Sequence, residues 1–392
     1  MNKTFKVTII VPGKFHAFNL AKGLQNKNVL KTLITSYPKY LVIRDDINKK
    51  IVKSIFIKEI LERILLKLKL NILLSKSYYY INLLFEYISS KRIDYDSTDI
   101  LVSWSGVAEK SFIKSKTKKI IKILERGSSH IVFQNKILIE EAKILGLKKK
   151  PIDERIIQKE IREYELADYI SVPSNFAKQT FIDNGINCQK IITIPYGTNL
   201  KQFYKLDLKP NEFTIISTGQ ISIRKGSIYL LKAFEELDLK NCKLILVGNI
   251  ESELNEILKP YFSNPNITFE KHVKQIRLID YYNRSHIFVT SSLEEGLSMV
   301  QPQAMACGLP IICTTNSGGE ELVDDGENGF IGPIRDIGFL KEKIKFFYDN
   351  KDELEKFSKK SNEKAIKYFS WENYSEKVYK QYNKLILEKR MN

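Results

Sequence analysis

One rhythm runs through this sequence: a short run of β-branched and apolar residues, a turn, then a longer helical pattern. The runs in the first half are KVTIIV, VLKTLITS, DILVSWS at 99–105, KIIKILE at 119–125 and YISVPS at 169–174. Those in the second half are FTIISTG at 213–219, KLILVG at 243–248, HIFVTSS at 286–292 and LPIICTT at 309–315. Near-continuous apolar strands separated by helices imply parallel sheets covered on both faces. Helices are expected over 16–26, 226–237 and 297–307. The apolar pattern lapses over 197–212, and 392 residues exceed one ordinary core. The expectation is therefore an α/β chain with two doubly wound, Rossmann-like domains facing each other across a cleft. The first covers residues 1–200 and the second 201–370, with a final amphipathic helix over 371–392.

Charge divides the chain unequally. Residues 1–200 hold 35 Lys and Arg against 19 Asp and Glu, while the remainder holds 28 against 27. A basic half calls for an anionic partner. Residues 49–92 carry ten basic and three acidic residues among Ile, Leu, Phe and Tyr. Amphipathic helices of that composition can lie in a lipid headgroup region, or pack on the N-terminal sheet with their lysines solvated. No uninterrupted apolar stretch approaches the length of a membrane span. The initial VTIIV run is too short for a signal peptide, so it reads as a strand. Cys188, Cys242, Cys307 and Cys313 lack CxxC spacing, and His16, His130, His272 and His286 lack metal-ligand spacing. These patterns point to reduced thiols, a cytoplasmic protein and no metal.

Two motifs carry chemistry. In STGQISIRKGSIYLLKAF at 217–234, a strand ends at Gly219 and a helix starts at or just after Gly226. Free amides at such a helix start bind phosphate, and Arg224 and Lys225 add positive charge. A solvated basic turn is the plainer alternative. The second motif, TSSLEEGLSMVQPQAMACGLPII at 290–312, places an acidic-glycine turn between a strand and a small-residue helix ending at Gly308.

Together these motifs resemble the retaining GT-B glycosyltransferases of family 4. The family pattern has an acid before a turn glycine, a second Glu eight positions later, then a run like AMACGLPVI. Here these positions hold Glu295, Gly296, Gln303 and AMACGLPII. SGGEELVDDGENGF at 317–330 is similar to the next family feature. The stretch at 163–203 looks like the approach to the interdomain linker, and FSWENYSEKVYKQY at 369–382 like the helix that crosses back onto the N-terminal domain. Gln303 departs from the family, whose Glu there holds the ribose hydroxyls; a glutamine amide still forms hydrogen bonds without the charge.

The resemblance implies a nucleoside diphosphate sugar bound across Gly219, Arg224, Lys225, Glu295, Gly296, Leu297, Ser298 and Gln303. Arg224 and Lys225 would stabilise the departing diphosphate without an essential metal or other cofactor, and Glu295 would orient donor hydroxyls. It further implies a hexosyltransferase acting with retention of configuration. Gly13 and His16, after the first strand, would line the acceptor side. Arg126 and His130, in ERGSSH at 125–130, would flank the donor sugar, with His130 joining Glu295, Arg224 and Lys225 as catalytic groups. A partnerless helix-start His16 and a Glu125–Arg126 ion pair are the competing readings. The basic half would dock on the anionic inner face of the cell membrane and reach a lipid-linked saccharide, in assembly of capsule, lipopolysaccharide or exopolysaccharide. Rival functions are a sugar-nucleotide 2-epimerase, a non-catalytic sugar-binding relative and a nucleic-acid binder. The last is disfavoured because no nucleic-acid motif accompanies the lysines.

Overall fold

The computed structural model describes residues 5–68, 70–148, 151–206, 208 and 212–391. Residues 207 and 209–211 of the expected linker, and Lys69 of the basic segment, lie outside these. The N-terminal sheet has seven parallel strands: β1 (Val7–Val11), β2 (Leu30–Thr35), β3 (Val52–Ser54), β4 (Ile100–Trp104), β5 (Ile121–Glu125), β6 (Tyr169–Val172) and β7 (Ile191–Thr193). Their order is β3-β2-β1-β4-β5-β6-β7. The second sheet has six: β8 (Phe213–Thr218), β9 (Cys242–Val247), β10 (Ile267–Glu270), β11 (Ile287–Thr290), β12 (Ile311–Thr314) and β13 (Gly329–Gly332), ordered β10-β9-β8-β11-β12-β13. Both are doubly wound, and strand order reverses beside β1 and β8. A crevice opens at such a switch point, outside the strand carboxyl ends.

The central strands are buried on both faces. All five residues of β1 and of β4 are buried, which is why they read as unbroken apolar runs. The chain leaves the first domain at Gly197–Thr198 and returns at Phe369–Trp371. The Thr198 amide donates to the Phe369 carbonyl at 2.7 Å. A Cβ on Gly197 would meet the Ser370 carbonyl oxygen at 2.5 Å, so the two crossings touch backbone to backbone. Helix Trp371–Met391 then buries Tyr374, Val378, Tyr382, Leu385 and Ile386 against the helix Ala17–Asn26.

Three expectations need correction. Residues 49–92 are not helical throughout: 49–51 form a 3-10 turn and Val52–Ser54 is edge strand β3, before the helices Ile57–Lys67 and Asn71–Lys91. The helix expected over 297–307 begins only at Val300. The preceding turn is held open because the Glu295 and Ser298 amides donate to the Asn316 and Ser317 carbonyls. Finally, the helix Ile131–Ile144 lies in the first half of the chain but packs Ile137 and Ala142 into the core of the second domain. Its Glu141 accepts from Tyr229 and Arg335, both at 2.7 Å. The two domains therefore meet over a packed interface beside the cleft.

Candidate active site

A cavity of about 670 Å³ lies between the carboxyl ends of the two sheets. The C-terminal wall is built by the loops after β8 and β11. Gly226 takes a left-handed φ of 57°, and a Cβ there would stand 2.2 Å from the Ser291 carbonyl oxygen. Only glycine lets helix Ser227–Leu237 begin so close to the second loop. Gly219 has φ of 120°, and its Cβ position lies 3.2 Å from Lys225 Cε. Lys225 is thus laid across it, and donates from Nζ to Glu295 Oε1 at 2.8 Å and Ser298 Oγ at 3.0 Å. Burial pushes the Glu295 carboxyl up, but Lys225 and Arg224 outweigh it and hold the group below its ordinary value. Its second oxygen has no hydrogen-bond partner.

Glu294, one residue earlier, has a different task. It is fully buried, and every partner donates to it. Oε1 accepts from Ser128 Oγ at 2.6 Å, Ser129 N at 2.9 Å and Ser129 Oγ at 2.7 Å. Oε2 accepts from Gln134 at 2.9 Å and Arg224 Nε at 2.7 Å. Burial opposes ionisation, yet Arg224 and the two serines hold the carboxyl at about 2. The serines and Gln134 belong to the N-terminal half, so this carboxylate fastens the two domains across the cleft. Beside it, a Cβ on Gly296 would meet the Gly127 carbonyl oxygen at 2.4 Å. Sequence reasoning passed over Glu294, because the motif singles out the acid beside the turn glycine and gives the preceding one no task.

The N-terminal wall follows β1, β4 and β5. His16 is 4% exposed and not partnerless. Its Nε2 lies 3.3 Å from Glu125 Oε2, and its ring packs on Trp104 and Tyr196 at centroid distances of 4.9 and 4.2 Å. The competing Glu125–Arg126 pair is not formed, because neighbours on a strand end point to opposite faces. Arg126 pairs instead with Glu160 at 2.8 Å and also reaches Gln134.

The structure brings Arg224, Lys225, Glu295, Gly296, Leu297, Ser298, His16 and Arg126 to one cavity. Four expected site residues do not line it. Gly219 lies behind Lys225, and the Gly13 carbonyl accepts from Thr35 inside the loop. Gln303 is buried, its Oε1 accepting from Tyr282 at 3.4 Å. His130 caps helix Ile131–Ile144, accepting the Val132 amide at Nδ1, and packs against Tyr164 and Phe181. Burial, with Arg126 nearby, lowers His130 to about 4. It stays neutral near pH 7 and caps this helix instead of lining the cavity. Asn82, Tyr78, Tyr79, Trp104 and Tyr196 also line the cavity; sequence reasoning missed them because no motif surrounds them. Among the described residues, no cluster of three or more His, Cys, Asp or Glu is placed to hold a metal.

Residues 199–364 match the family model described as glycosyl transferases group 1. The second domain is a glycosyl transferases group 1 domain. Among curated proteins, the chain is 26% identical over 250 residues to the capsular polysaccharide biosynthesis glycosyltransferase CapM of Staphylococcus aureus, covering 59% of this chain and 65% of that protein. It is 29% identical over 184 residues to spore coat protein SA of Bacillus subtilis, covering 43% and 48%. The chain thus spans roughly half to two thirds of these relatives' lengths. Among solved structures, sucrose-phosphate synthase of Thermosynechococcus elongatus superposes with a TM-score of 0.75 at 17% identity, covering 98% of this chain and all of that one. HepE of Anabaena, solved with UDP, superposes at 0.69 and 13% identity, covering 97% and 100%. The fold is that of the GT-B glycosyltransferases.

Proposed function

We propose that this chain transfers a hexosyl group from a nucleoside diphosphate sugar to a saccharide acceptor, with retention of configuration. The observation that carries the reading is the Lys225–Glu295–Ser298 cluster at the switch point of a group 1 domain, facing a second Rossmann-like wall across one cavity. Lys225, with Arg224 behind it, would meet the charge developing on the departing diphosphate. The unpartnered Glu295 oxygen would accept donor-sugar hydroxyls. The acceptor would enter from the N-terminal wall, and apposed domains would exclude water from the transfer. The likeness to CapM supports a place in bacterial surface polysaccharide assembly, and a lipid-linked acceptor is a further part of this proposal.

Membrane docking has its own support. Phe56, Ile57, Ile60, Ile64 and Leu68 recur at helical spacing and are 41 to 61% exposed. They form an apolar stripe on helix Ile57–Lys67 flanked by exposed Arg63 and Lys67, as an interfacial helix requires. Among the described residues, no helix is long and apolar enough to cross a membrane.

The test is a thermal-shift screen with UDP-, GDP-, ADP- and dTDP-sugars, repeated on Lys225→Ala. A ligand at a hundredfold its Kd stabilises by about 2.7 kcal/mol. The expected outcome is a shift with one nucleotide class, lost in the variant, and release of that nucleoside diphosphate on transfer. No shift with any class would overturn the donor site. Balanced turnover without nucleotide release would make the protein an isomerase.

A further inference from the structure

The N-terminal wall of the cavity is chemically unlike the basic half that contains it. Among the described residues that line the cavity, each cation is already matched by a carboxylate. Arg126 pairs with Glu160 at 2.8 Å, and Lys159 with Glu86 at 2.8 Å and Glu163 at 3.0 Å. On the opposite wall Arg224 pairs with Glu294 and Lys225 with Glu295. Glu125 adds a carboxyl whose Oε2 lies 3.3 Å from the His16 ring nitrogen Nε2. On this wall the carboxylates Glu86, Glu125 and Glu160 outnumber the cations Arg126 and Lys159, so a phosphate or a uronate would meet a net negative charge.

What the wall lacks is donors. Asn82 Oδ1, Glu125 Oε1 and Tyr196 Oη have no hydrogen-bond partner, although their residues are 9%, 2% and 4% exposed. A buried acceptor left unpaired is unfavourable, and a ligand hydroxyl relieves it. The end torsions of Asn and Glu side chains are broad, so both groups can turn toward an incoming hydroxyl. Burial, reinforced by Glu125, keeps the Tyr196 phenol neutral, able to donate as well as accept. Aromatic faces complete the lining: Tyr78 and Tyr79 from helix Asn71–Lys91, Trp104 from the end of β4, and Phe15. Phe15 is 61% exposed and held at a left-handed φ of 40°. An exposed aromatic residue kept in a disfavoured backbone conformation at a cavity mouth is a typical ligand clamp.

We propose that this wall is a subsite for an uncharged, hydroxyl-rich sugar residue of the acceptor. Its hydroxyls are read by Asn82, Glu125 and Tyr196, and its apolar face rests on Tyr79 and Phe15. This deepens the transferase reading by naming the acceptor chemistry. Any phosphate of the acceptor then lies outside the cavity, away from the carboxylates.

The experiment is saturation-transfer NMR on the full chain without nucleotide. The probes are methyl glycosides of glucose, galactose, mannose, N-acetylglucosamine and N-acetylgalactosamine, with methyl glucuronoside, methyl galacturonoside and glucose 6-phosphate as charged counterparts. One or more neutral glycosides are expected to receive saturation, and the charged ones less. Binding weakens by about fivefold or more in Asn82→Leu and in Tyr79→Ala, each removing a contact of about 1 kcal/mol, and persists in Lys225→Ala. Tyr79 is only half-buried, so its variant keeps the test sound if Asn82→Leu lowers the melting temperature. Equal or stronger binding of the charged probes would overturn the subsite. So would binding of no neutral glycoside, or binding lost in Lys225→Ala and kept in both wall variants. Glycoside binding without any nucleotide shift would leave the subsite standing and sink the transferase reading instead.

Discussion

Replacing Glu294 by glutamine tests whether the two domains are fastened as described. The substitution keeps shape and volume but removes the charge. Because all five partners donate, the new amide must set its own N–H groups against the Ser128–Ser129 cluster or against Gln134 and Arg224. Either way, Arg224 loses its counter-charge; its side chain is 38% exposed and so partly solvated, which puts the cost at the lower end of the range, about 3–5 kcal/mol, for removing one member of a fully buried pair. Titration gives a similar figure. A carboxyl at about 2 in the folded protein, against 4.5 ordinarily, contributes about 3 kcal/mol. The folded value is depressed, so this contribution is complete above pH 4.5 and is lost as pH falls toward 2. The assay is a double-mutant cycle by urea unfolding at pH 7, pairing Glu294→Gln with a Ser128→Ala/Ser129→Ala variant. The serines lie on the other domain, so a coupling of about 1.5–3 kcal/mol reports bonds across the cleft. The radius of gyration should rise in Glu294→Gln as the domains part. Additive effects within about 0.5 kcal/mol, or a stability difference from wild type that is the same at pH 7 and pH 3, would refute the latch.

Three further outcomes follow from the site. His130→Asn keeps a helix cap and should change turnover by less than about threefold, whereas removing a transition-state donor costs about a hundredfold or more; nucleoside diphosphate release decides between them. Gly296→Ala puts a methyl 2.4 Å from the Gly127 carbonyl oxygen. It should lower kcat/KM by about a hundredfold through misplaced walls, and near-normal activity would mean that the domains react in a more open arrangement. Gln303→Glu buries a carboxyl with only the Tyr282 hydroxyl to donate to it. Its folded-state pKa should rise, so the variant melts close to wild type at pH 4 and loses more than about 1 kcal/mol by pH 7. An equal loss at both pH values would contradict that account.

Among the described residues, nine of the thirteen strands were legible as apolar runs, and the four that were not are β3, β7, β10 and β13. These are the outer strands of the two sheets. An edge strand pairs on one side only: β3 and β7 span just three residues, β10 is half-exposed at three of its four positions, and glycines open and close β13, so none carries a sustained apolar run. The same limit produced the helical expectation for 49–54, where β3 sits among lysines. In the site, the motif residues Lys225 and Glu295 were legible because the loops that hold them need glycine at fixed offsets. The direction of a side chain was not: His130 and Gln303 occupy motif positions, yet each turns into the core. Asn82, Tyr79 and Tyr196 come from segments far apart in the chain, and only the closed fold makes them neighbours.

The excess charge of the first half acquires a location from this geometry. Inside the cleft the cations are matched by carboxylates, so among the described residues the basic excess of the first half belongs to the outer surface. Part of it lies beside the apolar stripe of helix Ile57–Lys67, where Arg63 and Lys67 are exposed. Exposed charges are screened over about 10 Å at 0.1 M salt, whereas paired groups in a cavity are screened far less. Salt should therefore separate the two proposed contacts. Co-sedimentation with vesicles containing phosphatidylglycerol should fall steeply as salt is raised, and Ile60→Ser/Ile64→Ser should weaken it at every salt concentration by removing buried apolar area. Glycoside binding in the cleft should stay constant over the same range, because the ligand is neutral and its partners lie inside the cavity. Vesicle binding indifferent to both salt and the serine pair would remove the helix from the membrane. Glycoside binding as salt-sensitive as vesicle binding would place the sugar on the basic exterior rather than between the domains.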